Sequence, residues 1–152
     1  MIISVHQYFD RAVNILLDKR DENAAVDIRG PQRIPRRDDF IAINFRARVV
    51  FESGHILDIA DHFLIEPLSD EWARKFSYFF GLPGGEEAER LFLFDNHGEY
   101  GGAAHLDLGD GERIYEGDQR LHGISPENVD IMDVCGFVDR YFDGSPFPWG
   151  GP

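Results

Sequence analysis

The residues best suited to chemistry lie together in "FDNHGEYGGAAHLDLGDG", residues 94–111, where two histidines and three aspartates stand among glycines. Imidazole titrates near neutrality, so His97 and His105 suit general acid–base work. With Asp95 and Asp107 they also make a donor set for a divalent metal ion such as zinc, manganese or iron. A plainer account competes with both. Asp95, Asn96, His97 and Gly98 end an apolar run, and Asp and Asn in a turn cap nearby N–H groups. That account leaves "AAHLDLGDGE" unexplained, because His105 and Asp107 flank Leu106 on a strand-like segment and so share a face.

The spacing follows no fixed motif. An EF-hand loop with Gly111 in its sixth position would start on Leu106, which carries no ligand. No phosphate loop, nucleotide-binding glycine fingerprint or HExxH occurs. Cys135 falls on the apolar stripe of a helix, where a thiol is usually an inert small hydrophobe. As the only cysteine it cannot close an internal disulfide, and a cytoplasmic protein is expected. His6, His55, His62 and His122 fall in a first helical turn, a hairpin loop, an outer strand face and a turn, and are expected to be structural or exposed.

The elements that must position this loop are legible from periodicity. "SVHQYFDRAVNILLDKR" reads as a helix, with Ser4 and Gln7 fitting a capping box and Val5, Phe9, Ala12 and Leu16 at helical spacing. "RGPQRIPRR", residues 29–37, is predicted to be an irregular basic arm, since two prolines and a glycine oppose regular structure. Such an arm grips nucleic acid or lies across its own acidic body, and charge favours the second. In "FIAINFRARVVFESGHILDIADHFLIE" two alternating runs make a hairpin. A two-residue loop would put Leu57 and Ile59 on the wrong face. A three-residue loop, Glu52-Ser53-Gly54, pairs Val49 with Leu57, Ala47 with Ile59 and Ile43 with Phe63, and sets Arg48 against Asp58 outside. "ARKFSYFFGLP" and "RLFLFDN" read as further strands, and "ERIYE" as a fifth strand or a loop edge. "SPENVDIMDVCGFVDRYF" reads as a helix capped by Ser125, with Pro126 in its first position.

The expected fold is therefore α+β, an antiparallel sheet of four or five meandering strands packed on N-terminal and C-terminal helices in one domain. Its parts are a helix and connector over 1–28, the arm over 29–37, the sheet over 38–120, a helix over 125–142 and an irregular tail over 143–152, whose Trp149 is expected to dock on the body. The chain carries a net charge of −13, and residues 1–37 hold seven basic and five acidic groups, so the excess acid lies in the body. A body this acidic disfavours broad RNA or DNA binding. No apolar run approaches the roughly 20 residues of a membrane span.

Taken together, "FESGHILDI", "KFSYFF", "LFLFDNHG" and "AAHLDL" before a closing helix resemble the TumE-type toxins of prokaryotic toxin–antitoxin pairs, over residues 43 to about 142. Those proteins tend to carry a Tyr-Asp-Asn turn followed by a histidine-rich segment. The resemblance places that turn on Asp95 and Asn96 and the histidines on His97 and His105, with Asp107 where another histidine is expected. It implies an antitoxin protein as partner and an action on RNA. Cleavage without metal would need a base, His97 or His105, and a cation, Arg113 or Arg120. The alternative is a non-enzymatic acidic module that binds a basic protein.

Overall fold

Period-two alternation over most of the chain builds one sheet, and the computed structural model describes residues 2–21, 24–36, 39–84, 89–96, 100 and 102–150. Helix α1 (Ile2–Asp21) is followed by strands β1 (Ala25–Pro35), β2 (Ile41–Val50), β3 (Ile56–Ile65), β4 (Trp72–Gly81), β5 (Arg90–Asp95), β6 (His105–Leu108) and β7 (Arg113–Tyr115), then helix α2 (Ile131–Phe142). The strands pair antiparallel in chain order, a seven-stranded meander. The α+β class and both helices match the expectation; the strand count corrects it from four or five to seven.

The extra strands have physical reasons. The basic arm is not irregular: it forms most of β1, paired with β2. A proline costs a ladder hydrogen bond, which an edge strand can spare, and a bulge between Arg29 and Gln32 absorbs the Gly30-Pro31 step. Gly30 is needed there, because it sits at φ 107° and a Cβ would meet the Asn44 carbonyl oxygen at 2.6 Å. At the other edge both "HLDL" and "RIY" are strands, short ones that protect an edge from further pairing.

The central hairpin has the derived register. Val49 faces Leu57, Ala47 faces Ile59, Ile43 faces Phe63 and Arg48 faces Asp58. Gly54 sits at φ 89° and its N–H donates to the Phe51 carbonyl at 2.9 Å, which closes the three-residue turn.

One face of the sheet is covered. Val5, Phe9, Ala12 and Leu16 of α1 are buried, with the Phe9 ring stacked on Phe45 at 4.8 Å between centroids. Ile131, Val134, Cys135 and Val138 of α2 are buried as well, and Phe137 stacks on Phe94. Trp149 docks against Phe92, Phe94 and Phe137, and Phe147 beside it is buried, so these two rings of the tail pack on the core. Burial pushes the Cys135 thiol up to about 12, which leaves it protonated and unreactive.

Two boundaries differ from expectation. α1 already begins at Ile2, upstream of Ser4. α2 begins at Ile131 and not near Ser125, because Asp130 is extended and forms a reciprocal capping box with Asp133. Ser125 instead opens a separate turn, in which the Asn128 and Val129 N–H groups donate to its carbonyl at 3.0 and 2.9 Å.

Candidate functional site

The second face of the sheet carries no helix among the described residues, and it is where the chemistry gathers. Register places Asp27, Arg48, Asp58, Phe79, Leu93, Asp107 and Arg113 in one row across the strands. The next row reads Arg29, Arg46, Ala60, Ser77, Asp95, His105 and Tyr115. Sequence alternation alone put His105 and Asp107 on one face; the meander adds Asp95 directly opposite His105 and Arg113 directly opposite Asp107.

Asp107 is the hub of that corner. Its carboxylate accepts from Arg113 Nε at 2.7 Å and from the second guanidinium nitrogen at 3.1 Å. The His105 Nε2 atom lies 3.4 Å from Oδ2, the oxygen that also accepts from the terminal nitrogen of Arg113. Burial would raise the Asp107 carboxyl, but the Arg113 hydrogen bonds and the charges of His105, Arg113 and Arg90 outweigh it and hold it below the ordinary range. Asp107 and Arg113 are therefore an ionised pair near neutrality. Its members differ in access: the side chains of His105 and Asp107 are 1% and 7% exposed, whereas that of Arg113 is 40% exposed. The ring of Tyr115, itself exposed, stands against the imidazole at 6.0 Å between centroids.

Asn96 is placed for support. It is buried, its side-chain carbonyl accepts from Phe76 N–H at 3.0 Å, and its amide donates to the Arg74 carbonyl at 2.7 Å. A side chain that both donates to and accepts from β4 continues the β4–β5 ladder past the point where β5 stops. Arg120 is spoken for by Asp118 and Glu112. His97 lies outside the described residues. Among those that are described, no group of three or more His, Cys, Asp or Glu side chains is disposed to hold a metal ion. His105 meets the carbonyl of Ala103 with Nδ1 at 3.4 Å and does not line either hollow described below.

A second polar cluster lies on the helix-covered face and went unforeseen. Asp61, fully buried, accepts from Arg74 Nε and its terminal nitrogen, both at 2.9 Å, and from Tyr8 at 2.9 Å; the Tyr78 hydroxyl also donates to it. Arg74 donates to the Val129 carbonyl and lies over the Phe76 ring at 4.5 Å, and the Tyr8 oxygen accepts from Ile131 N–H. Burial, then the Asp61 charge, raises the Tyr8 and Tyr78 hydroxyls far above the usual phenol range, so both stay protonated donors. The signal was present: Asp61 breaks the inward series Leu57, Ile59, Phe63, Ile65. An acid at a core position demands a partner.

The open face has a hollow of about 550 Å³ between β1 and β4, lined by Arg29, Arg46, Arg48, Asp58, Ser77 and Phe79 among others. A different hollow of about 620 Å³ lies where the β2–β3 turn meets the end of α2, lined by Phe51, Glu52, Ser53, Asp139, Phe142 and Asp143.

The fold and site thus define an α+β protein with one helix-covered sheet face and one open face bearing ionised side chains. No family model, curated protein or solved structure matches the chain. No described helix is long and apolar enough to cross a membrane.

Proposed function

We propose that the chain is the toxin-type member of a toxin–antitoxin pair and acts on RNA at the corner where β5, β6 and β7 meet. The observation that carries this reading is the grouping of Asp95, His105, Asp107 and Arg113 on neighbouring strands of the open face. Arg113 is the exposed cation that meets the phosphate. Asp107 is a positioning residue that holds its guanidinium in a bidentate grip. An imidazole, His97 or His105, takes the proton of the 2′-hydroxyl. The freed oxygen attacks phosphorus while Arg113 meets the charge growing on the non-bridging oxygens; the P–O5′ bond breaks, leaving a 2′,3′-cyclic phosphate, and the 5′-oxygen takes its proton from the imidazolium or from water.

Inducible expression in a bacterial host, followed by RNA integrity and growth, tests this. The wild type is expected to arrest growth with RNA loss. Arg113→Ala is expected to lower RNA turnover roughly 100-fold, the order seen when a charge-stabilising donor is removed. His105→Asn and His97→Asn are read beside it, and circular dichroism shows whether each folds. RNA and growth untouched by the wild type, or turnover unmoved in folded Arg113→Ala, would sink the proposal.

The acidic-module reading draws on a different observation, the hollow at the end of α2. There the rings of Phe51 and Phe142 lie beside Glu52, Asp139 and Asp143, a setting for a lysine or arginine of a protein partner. Salt-sensitive binding of a basic peptide that Glu52→Lys weakens would favour it.

A further inference from the structure

We propose that the hollow between β1 and β4 on the open face is a phosphate site for a nucleotide unit. Arg29 and Arg46 would hold the phosphate, and Phe79 would give the base a ring to stack on. This deepens the RNA reading and rests on it for the source of the ligand, but not for the binding itself.

The argument starts from charge. The chain has twenty-eight acidic side chains against fifteen basic, so an arginine has acids to spare as neighbours. Nevertheless β1 and β2 set Arg29 directly opposite Arg46. Like charges directly opposite in an antiparallel pair oppose the pairing. Arg48, one row on, is satisfied by Asp58 at 2.8 Å. Arg29 reaches Asp27 only at 3.5 Å, and Arg46 makes no hydrogen bond or ion pair among the described residues. Two arginines facing each other, one of them unsatisfied, form a site that an anion between them completes. Guanidinium is the cation whose fork matches phosphate oxygens.

The rest of the hollow fits what is attached to the phosphate. Ala60 and Ser77, small side chains next in the same row, leave the depression. The Phe79 side chain at its wall is half-buried and lines the hollow. Aromatic rings on an open sheet are the means by which single-stranded RNA bases are commonly held. The volume of about 550 Å³ lies within the range of small-ligand pockets, roughly 300–1,000 Å³. From Ser77 to His105 the same row crosses two strand spacings, about 10 Å, so a strand held in the hollow runs towards the β5–β7 corner.

Titration of the full chain with inorganic phosphate, 5′-AMP and a single-stranded uridine hexanucleotide, by calorimetry at low salt, tests the site. Saturable binding of 5′-AMP tighter than that of inorganic phosphate is expected, with both weakened by added salt. Binding of the hexanucleotide tighter than 5′-AMP assigns the site to RNA; equal binding assigns it to free nucleotides. Arg46→Ala is expected to weaken 5′-AMP about tenfold, and Phe79→Ala to weaken 5′-AMP but not phosphate. Arg11→Ala, exposed on α1 across the sheet, should leave all three unchanged. Without ligand, Arg46→Ala should melt no lower than the wild type, because it removes a like-charge opposition. Absence of 5′-AMP and hexanucleotide binding, or binding indifferent to Arg46→Ala, would overturn the assignment. Because binding is read without turnover, this failure is separable from failure at Arg113.

Discussion

Two clusters in this molecule share one design, a carboxylate gripped by an arginine with ring-bearing side chains alongside, and lie on opposite faces of one sheet. Around Asp61, every donor comes from an element that must be held: Tyr8 from α1, Arg74 and Tyr78 from β4, with Arg74 and Tyr8 reaching on to Val129 and Ile131 at the start of α2. Around Asp107, the hydrogen bonds come from Arg113 on β7, with the His105 imidazole of β6 at 3.4 Å, and Arg113 stays open to solvent. The same chemistry does different work according to what covers it. Enclosed, it ties two helices to a sheet; half-open, it presents a cation.

The contrast can be broken experimentally. Asp61→Ala leaves Arg74 with an uncompensated charge at a side chain 13% exposed, and is expected to cost about 3–5 kcal/mol in urea unfolding. Asn96→Ala removes two hydrogen bonds to β4 between the clusters and should cost about 1–3 kcal/mol. Asp107→Ala is expected to cost only about 1 kcal/mol, since Arg113 can turn to water. If Asp107→Ala proves as costly as Asp61→Ala, the two clusters are equally structural and the distinction falls.

The smallest effect is a pH dependence on the open face. His62 is half-buried with its Nδ1 3.1 Å from Asn44 Oδ1. Burial, then the charges of Arg46 and Lys75, lower its pKa, while Asp61 opposes them. A histidine with a lowered pKa takes up its proton more readily in the unfolded chain. Its contribution is therefore full above about pH 6.5 and is lost as pH falls through that value, levelling off below the folded pKa. Urea midpoints at pH 7.5 and 5.0 should differ less in His62→Gln than in the wild type.

Much of this was legible from residue order. Alternation in Ile43–Phe51 and Leu57–Ile65, with glycine at one turn position, determines the hairpin to the residue, because a one-residue slip would expose a whole apolar set. The stripes at Val5–Leu16 and Ile131–Val138 determine two helices on one side for the same reason. The basic arm reads as irregular because proline and glycine argue locally against a strand, while pairing along β2 and a single bulge override them. Asp107 and His105 could be placed on a common face, but their partners could not. Arg113 opposite Asp107, Arg29 opposite Arg46 and Arg74 around Asp61 are relations between strands. Periodicity states which way a side chain points, and only the pairing of one strand with the next decides what it meets there.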